Sequence, residues 1–434
     1  MEKDNGFDTY CKEIFEDGPF SGYHAELHVI HGKQDDVVVA NDIEGNAKKV
    51  VNFCSNNYTG LASDKRIVAA AKKTLDTHGY GLSSAPLMCG FQDIHQQLER
   101  ELSEFHGTED TLLYPSGYHT NVGFFCACFG EEDAIFSDEF NHSSIIDGVK
   151  LSRAKKFVYK HLDLDHLEEL LKGAEDYRFK CIVTEGIFSM DGDILELPKY
   201  VELAKKYGAV FYLDECHATG VIGKTGKGTV EYWGMEPSDV DLISSTLGKA
   251  ISGGGGGYTT GKRNMINYLR QCSKTFIFSN SLCSPIIGAS LEALRIFRED
   301  PGIFTRIKEK GMRFRQGIKA AGFEVYGDDD CPICPVSVTD EHLARHFEIE
   351  LFKKGYYTIG LGFPIFEQGL SRLRIIVTAT HTIEQIDGLI QAFKEVAEEC
   401  NFWKNLEGYR QKVEDGLVIG KPDWWKPLAA KAKL

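Results

Sequence analysis

Residues 241–258 read Asp-Leu-Ile-Ser-Ser-Thr-Leu-Gly-Lys-Ala-Ile-Ser-Gly-Gly-Gly-Gly-Gly-Tyr. The stretch begins as a short apolar strand, passes through hydroxyl side chains, and presents one lysine, Lys249, before five consecutive glycines at 253–257. Surface lysines normally lie on polar helix faces, whereas Lys249 follows a strand that reads as buried. Loss of hydration at such a position favours a neutral, nucleophilic amine.

This stretch alone leaves more than one interpretation of Lys249 open. It is a Schiff-base lysine that holds pyridoxal phosphate (PLP), or it is a loop lysine beside a flexible glycine hinge. A dinucleotide-binding loop is a third interpretation of the glycine run. That interpretation lacks a helix-opening G-x-G-x-x-G after a first strand and an acidic residue about 20 positions later.

Short apolar runs alternate with helical patterns on the N-terminal side of this stretch. A helical pattern such as 198–207, which opens with Pro198 and closes at Gly208, indicates crossover connections and a mostly parallel, buried sheet. A separate run at 36–40 predicts an edge strand. The runs predicted as strands of the sheet are 111–114, 134–137, 156–159, 181–184, 210–213 and 242–245.

The pattern changes after about residue 290, where a helix-rich stretch at 290–321 leads into a second alternation. Strands are predicted at 323–326, 333–338 and 372–377, with helices near 341–354 and at 383–399. The predicted fold class is α/β, with a large domain built on a mostly parallel sheet and a smaller α+β C-terminal domain. The predicted divisions are an N-terminal segment 1–60, a large domain 61–290, a small domain 291–400 and a tail 401–434.

Composition excludes several classes of partner. Lys and Arg number 49 against 64 Asp and Glu, and the formal charge of −15 argues against a nucleic-acid partner. The chain has no signal-peptide pattern and no apolar run of membrane-spanning length, which predicts a cytoplasmic or organelle-matrix protein. The final residues, Ala432-Lys433-Leu434, weakly resemble a peroxisomal Ser-Lys-Leu address. The twelve cysteines are scattered, and no metal site is expected.

Polar side chains cluster at the carboxyl ends of the predicted strands, where parallel sheets bind ligands. Asp214 follows the strand at 210–213, and a lone carboxylate there is costly unless it meets a cation such as a pyridinium. A cap or a metal ligand is the alternative for Asp214. His217 can donate to the phenolic oxygen of PLP, or it is a structural histidine.

His142 lies in a polar loop after the strand at 134–137, where an imidazole can stack on a flat ring. The alternative is a helix N-cap cluster, for which Ser143 or Asn141 would suffice. The turn at 116–118, Ser-Gly-Tyr, opens a helix and would point backbone amides at an anion, to which Thr246 adds a hydroxyl.

Arg372 and Arg374 flank Leu373 on a predicted strand, so both guanidinium groups share one face. One of them clamps a substrate carboxylate through two hydrogen bonds, or both lie on a solvated face.

With these residues, the chain resembles the α-oxoamine synthases, PLP enzymes of fold type I. The matching stretches follow one another in order over roughly residues 50–395: Asn-Phe-Cys-Ser-Asn-Asn-Tyr (52–58), Asn-His-Ser-Ser-Ile-Ile-Asp-Gly (141–148), Gly-Ile-Phe-Ser-Met-Asp-Gly (186–192), Thr-Leu-Gly-Lys-Ala (246–250) and Phe-Ser-Asn-Ser-Leu (278–282).

The resemblance implies a PLP-dependent condensation of glycine with acetyl-CoA to 2-amino-3-oxobutyrate, or the reverse cleavage, in threonine and glycine metabolism. The alternative is a relative that joins a longer acyl-CoA to serine or alanine. A non-catalytic partner subunit of the same fold would not need Lys249. Two departures from relatives, Pro86 in place of a frequent arginine and the segment 362–367, lie near where the acyl group and the amino acid should enter.

The resemblance also implies a role for each residue of the site. Lys249 would be the aldimine lysine and proton carrier, and Ser279 with Asn280 would reach the cofactor of a neighbouring subunit, which implies a homodimer with a shared active site. The remaining implied contacts are Asp214 on the pyridine nitrogen, His142 on the ring face, Ser189 and His217 near the phenolic oxygen, Gly117, Tyr118 and Thr246 on the phosphate, and Asn56 and Arg374 on the amino-acid carboxylate.

Overall fold

The computed structural model describes residues 6–13, 28–42, 44–339, 341–362, 365–366, 369–404 and 406. Its strands are β1 Ile30–His31, β2 Val37–Asn41, β3 Ala47–Asn52, β4 Asp110–Tyr114, β5 Ala134–Asp138, β6 Lys155–Tyr159, β7 Lys180–Glu185, β8 Val210–Asp214, β9 Leu242–Thr246, β10 Gly257–Gly261, β11 Ile333–Thr339, β12 Tyr356–Tyr357, β13 Ile359–Leu361 and β14 Ser371–Ile376. Its α-helices are α1 Phe7–Lys12, α2 Lys65–His78, α3 Asp93–His106, α4 Gly117–Cys128, α5 Ser143–Ser152, α6 Leu164–Lys172, α7 Leu197–Tyr207, α8 Thr229–Tyr232, α9 Arg263–Cys272, α10 Lys274–Ile277, α11 Ser284–Glu299, α12 Gly302–Ala320, α13 Glu341–Lys353 and α14 Ile383–Glu399.

The central seven-stranded sheet has the order β4-β10-β9-β8-β7-β5-β6. The pairs from β9 to β6 are parallel, and β10 is antiparallel to both of its neighbours. Every strand predicted for this sheet is present, each within one residue of its predicted bounds at either end. The predicted α/β fold with a mostly parallel sheet is therefore confirmed, and β10 is the strand that the sequence pattern missed.

The glycine run reverses the chain between β9 and β10, which neither the hinge nor the dinucleotide interpretation anticipated. Gly255 and Gly256 have φ values of +92° and +99°, a backbone conformation that disfavours side chains. At Gly257 a Cβ atom would lie 2.5 Å from the backbone nitrogen of Gly117. The run thus lets β10 pack directly against the start of α4, beside Lys249.

Strand β8 shows why the middle of the sheet is apolar. Phe211 and Leu213 belong to the core on one face, with α6 and α7, while Tyr212 belongs to the core on the other face, with α4 and α5. All three side chains are buried. Because both faces of the strand are covered, its first polar side chain, Asp214, comes at the carboxyl end, where the sheet meets the site.

The C-terminal region builds a second core on the antiparallel sheet β11-β14-β13, against which α12, α13 and α14 pack. Leu373 is fully buried in this core, while Arg372 and Arg374 point to the opposite face, as the alternation predicted. A four-stranded sheet, β1-β2-β3-β12, pairs N-terminal strands with β12. The divisions at residues 60, 290 and 400 stay predictions.

Two strand predictions were wrong. The run at 36–40 is not an edge, because β2 lies between β1 and β3. The predicted strand at 323–326 is reduced to a single bridge between Val325 and Val336. Its continuation is cut off because the Arg315 guanidinium takes the Tyr326 carbonyl at 2.7 Å and the chain turns at Gly327.

Within the described ranges no helix is long and apolar enough to cross a membrane. The tail at 407–434, which includes the weak peroxisomal-type terminus, lies outside the described residues, as does part of the segment 362–367.

Candidate active site

A cavity of about 200 Å³ opens where β7, β8 and β9 end, beside the start of α4. It brings together side chains from five separate stretches of the sequence. The predicted site residues that line it are Gly117, Tyr118, His142, Asp214, His217, Thr246 and Lys249, joined by Asn121, Ser144, Glu185 and Cys216.

Lys249 contacts His217 in the lining of the cavity. Its Nζ lies 2.7 Å from His217 Nε2, and the other ring nitrogen, Nδ1, lies 2.8 Å from the Tyr58 hydroxyl. Burial, together with the nearby charges of Lys249 and Arg374, holds the pKa of His217 well below its ordinary value. His217 is therefore a neutral imidazole with both ring nitrogens engaged, which is a more specific arrangement than a histidine that only fills the core.

Asp214 is buried at the end of β8 and receives two hydrogen bonds from uncharged donors. Asn121 Nδ2 donates to its Oδ2 at 2.7 Å, and the backbone N–H of Cys216 donates to its Oδ1 at 2.8 Å. In the described part of the chain no basic side chain forms an ion pair with Asp214, although the group lines the cavity. A carboxylate in that situation is suited to a cationic group that enters from the cavity.

His142 serves as the N-cap of α5 and also lines the cavity. Its Nδ1 accepts the backbone N–H of Ser144 at 3.2 Å, so the capping role expected of Ser143 or Asn141 belongs to His142 itself. Partial loss of hydration lowers the pKa of His142. The cap holds this ring in one orientation at the wall of the cavity.

Glu185, at the end of β7, lies beside Asp214 in the cavity wall. It accepts the backbone N–H of His142 at 2.6 Å. Burial, and then the charge of Asp214, raises the pKa of Glu185 well above its ordinary value. The raised pKa favours the uncharged form of Glu185 beside Asp214.

The start of α4 forms the opposite end of the cavity. The first backbone N–H groups of a helix lack partners within the helix and favour an anion. A Cβ atom at Gly117 would lie 3.1 Å from Cys216 Sγ and 3.3 Å from the Thr246 Cβ, so the missing side chain leaves room there. The phenol of Tyr118 turns outward and donates to Asp147, so its contribution to the cavity is its backbone.

Arg374, on β14, lies near enough to His217 for its charge to lower the pKa of that ring. Its Nε donates to the Ser189 carbonyl at 2.6 Å, and Nη2 donates to Asn56 Oδ1 at 3.3 Å. Arg372 instead forms an ion pair with Asp191 at 2.6 Å, and its guanidinium packs on the ring of Phe366. Arg374, Asn56 and Ser189 do not line the cavity itself, and of the two arginines Arg374 is the one that is hydrogen-bonded to Asn56 and Ser189.

The predicted residues Ser279 and Asn280 do not line this cavity. Asn280 instead lines a separate small pocket with Pro86 and Phe91, next to Phe278, whose side chain is 80% exposed. Within one chain they are thus separated from Lys249. Their assignment to a neighbouring subunit stays a prediction.

His161, which the sequence interpretation did not consider, holds the loop that carries His142. It lies between Asp138 at 2.9 Å and Asp193 at 3.2 Å, and its ring stacks on Phe140 with centroids 4.4 Å apart. Burial alone would lower the pKa of His161, but the hydrogen bonds to the two carboxylates outweigh it and raise the pKa to about 9. The His161 side chain, held between the two carboxylates, is therefore charged at neutral pH.

A raised pKa in the folded state means that His161 stabilises the protein fully below its unfolded pKa of about 6.5 and loses that effect as the pH rises through about 9. We expect the free energy of unfolding of the wild type to fall by about 2 kcal/mol more than that of His161→Asn between pH 6.5 and 9.5. Urea denaturation of both proteins across that range measures the difference. If the free energy of unfolding of the two proteins changed with pH in parallel, the stabilising ion pairs of charged His161 would be contradicted.

The sequence interpretation missed Asn121 and Tyr58. Asn121 holds Asp214 and Ser144 through its amide nitrogen and accepts from the Tyr212 hydroxyl at 2.9 Å through its oxygen. A signal for it existed, since an asparagine beside Val122 and Phe124 in a buried helix needs partners. No local signal marked Tyr58, which lies 159 residues before its partner, His217.

Comparison with known proteins points to one family. The model of the aminotransferase class I and II family matches residues 48–393. Mouse mitochondrial 2-amino-3-ketobutyrate coenzyme A ligase is 44% identical over 82% of this chain and 85% of its own length. The 8-amino-7-oxononanoate synthase of Fervidobacterium nodosum is 42% identical over 82% and 90%. A solved structure of serine palmitoyltransferase that holds PLP aligns with a TM-score of 0.83 and 25% identity, covering 92% of this chain and 98% of that one.

The residues around the cavity fit PLP. They provide a primary amine, a buried carboxylate that lacks a basic partner in the described ranges, an imidazole at the cavity wall, and a helix N-terminus next to a glycine that leaves space. These are the groups that the aldehyde, the ring nitrogen, the ring face and the phosphate of PLP require. The chain belongs to the α-oxoamine synthases, PLP-dependent enzymes within the class I and II aminotransferase family.

Proposed function

We propose that this enzyme condenses glycine with acetyl-CoA to give 2-amino-3-oxobutyrate and CoA, the glycine C-acetyltransferase reaction, and that it also runs the reverse cleavage. The observation that carries the proposal is that His217 lies 2.7 Å from Lys249 Nζ and within reach of the charge of Arg374, which in turn donates to Asn56. It supports a site in which a carboxylate-binding guanidinium and a reactive amine serve the same small amino acid.

Arg374 and Asn56 would hold the amino-acid carboxylate. A guanidinium has five N–H donors, and the Ser189 carbonyl and Asn56 take two of those on Arg374. A carboxylate can therefore pair with the fork in bidentate fashion. Arg372 is committed to Asp191, so it supports β14 and leaves the substrate to Arg374.

When bound, PLP supplies an electron sink that stabilises negative charge at the α-carbon of the amino acid. Lys249 would hold the cofactor and then move the α-proton through its Nζ. Asp214 would keep the ring nitrogen protonated, His142 would cover one face of the ring, and His217 with Ser189 would meet the phenolic oxygen. The start of α4 at Gly117 and Tyr118, with Thr246, would bind the phosphate.

A homodimer with an active site shared between subunits belongs to this proposal. Ser279 and Asn280 lie away from the cavity of their own chain, next to the exposed Phe278. Met88, in the loop that contains Pro86, is likewise 80% exposed. Large exposed apolar side chains around these polar residues support a second copy of the chain as their partner. We further propose that the enzyme works in the cytoplasm or an organelle matrix.

Measuring CoA release across a matrix of substrates tests the reaction. We expect glycine with acetyl-CoA to give a kcat/KM at least about tenfold above alanine or serine with a longer acyl-CoA, a margin that one or two methylene groups supply in an apolar pocket. The 42% identity to an 8-amino-7-oxononanoate synthase makes the longer-chain reaction the competing candidate. A preference for palmitoyl-CoA with serine, or for a longer acyl-CoA with alanine, would overturn the acetyl assignment. No release with any pair would favour a non-catalytic subunit.

A further inference from the structure

Tyr58 is a fully buried tyrosine whose hydroxyl meets a catalytic-site histidine. Its oxygen lies 2.8 Å from His217 Nδ1, with the two rings at 85° to each other. On its other edge, His217 Nε2 lies 2.7 Å from Lys249 Nζ. Tyr58 does not line the cavity, so it acts on Lys249 only through His217.

The geometry decides which way the Tyr58 hydroxyl donates. If His217 Nδ1 carried the proton, the hydroxyl would need another acceptor, and the one within reach among the described residues is Asn56 Oδ1 at 3.4 Å. Hydroxyl donors prefer oxygen acceptors at about 2.7–2.8 Å, so that contact is poor. The hydroxyl therefore donates to Nδ1, and the neutral imidazole carries its proton on Nε2, facing Lys249.

Two electrostatic effects keep this arrangement at neutral pH. Burial raises the pKa of Tyr58 above its ordinary value, so the phenol keeps its proton. Burial, the largest cause, also holds the pKa of His217 well below its ordinary value, and the positive charge of Arg374 acts in the same direction. The other ionisable groups beside Lys249 are His142, Asp214, Glu185 and Cys216.

We infer that Tyr58 is a positioning residue for Lys249: its hydroxyl fixes the His217 tautomer that points an N–H at the lysine nitrogen. An N–H donor pairs with the lone pair of a neutral amine and repels an ammonium group. The arrangement thus favours the form of Lys249 that attacks an aldehyde. This inference rests on the proposed function, because it takes the aldehyde to be that of PLP.

The step that Tyr58 favours is the capture of the cofactor. Lys249 Nζ forms a carbon–nitrogen double bond to the aldehyde carbon, and the aldehyde oxygen leaves as water with two protons, both of which come from the amine. The step needs no oxidant, reductant or acyl-CoA. It can therefore be followed in the full-length protein after the cofactor is stripped and added back, apart from any turnover.

Tyr58→Phe tests the inference, with Tyr200→Phe as the matched control. Tyr200 is also buried, but its hydroxyl has no hydrogen-bond partner among the described residues, it does not line the cavity, and it packs in the core between α6, α7 and the sheet. The measurement is the rate at which added PLP develops visible absorbance on the stripped protein, at pH 7.5 and at pH 10. With an ordinary pKa of about 10.4, roughly a third of free lysine amines are neutral at pH 10 against about one in a thousand at pH 7.5, so help from His217 matters less at the higher pH.

We expect Tyr58→Phe to capture PLP about tenfold more slowly than the wild type at pH 7.5, and to approach the wild-type rate at pH 10. Tyr200→Phe should match the wild type at both pH values. Equal rates for Tyr58→Phe and wild type at pH 7.5 would overturn the inference, and so would an equal deficit at both pH values, which would indicate a packing defect. A wild type that captured no PLP would instead overturn the proposed function.

Discussion

Lys249→Ala is expected to purify without covalently bound cofactor and without measurable turnover. Removing the amine removes both the bond to the aldehyde and the group that moves the α-proton, and proton transfer by a positioned side chain alone contributes about 10²–10⁴-fold to a rate. The expected loss in kcat is therefore at least about 10³-fold. Absorbance before and after borohydride reduction, followed by a CoA-release assay, measures both effects.

Lys205→Ala is the matched control for Lys249→Ala. Lys205 pairs with Asp239 at 2.5 Å on the surface, with its side chain 62% exposed, so its loss should change neither absorbance nor rate. Full activity in Lys249→Ala would contradict the proposed role of Lys249 in holding the cofactor and moving the α-proton. If Lys249→Ala lost activity but still held covalent cofactor, a different lysine would have to bind the aldehyde.

Arg374→Ala is expected to weaken use of glycine far more than use of acetyl-CoA. Truncating one partner of a buried, hydrogen-bonded charge pair costs about 2–5 kcal/mol, and here that cost falls on the substrate carboxylate. The kcat/KM for glycine should fall by about 30-fold to several thousand-fold, while the KM for acetyl-CoA stays within about threefold. Steady-state kinetics with each substrate varied in turn measures the contrast.

The structure suggests two companion variants for Arg374→Ala. Arg313 forms a two-pronged pair with Asp387 on the surface, at 2.8 and 2.6 Å, so Arg313→Ala removes an arginine fork without touching the site. Arg374→Lys keeps the charge but loses the fork, and should recover only part of the glycine response. An unchanged glycine KM in Arg374→Ala would leave that arginine with the structural task of holding the Ser189 carbonyl.

Much of the fold was readable from local pattern. The strands that line the cavity are short apolar runs covered on both faces, and such runs stand out between helical segments whichever side chains they later contact. The strand β10, Gly-Tyr-Thr-Thr-Gly, did not stand out because it begins at the last glycine of the run and contains no apolar run, although its tyrosine and threonines favour a strand. The segment 323–326 was predicted as a strand but is not one, since Arg315 of α12 bonds to the Tyr326 carbonyl that a strand would use.

The candidate site divides in a similar way. Lys249, Asp214, His142 and His217 were found because each follows a strand or opens a helix, and because the matching stretches occur in family order. Their hydrogen bonds were not readable, since Asn121 reaches Asp214, and Tyr58 reaches His217, from distant parts of the chain.

The amino-acid sequence by itself determined the layered sheet, the position of Lys249 just after one of its strands and the family to which the chain belongs, because these depend on the order of residue types along the chain. Tertiary structure alone decided which of the two neighbouring arginines pairs with Asp191, that burial raises the pKa of Glu185, and which ring nitrogen of His217 faces Lys249. Those outcomes depend on burial and on distances between atoms from separate strands and helices, and no local pattern encodes them.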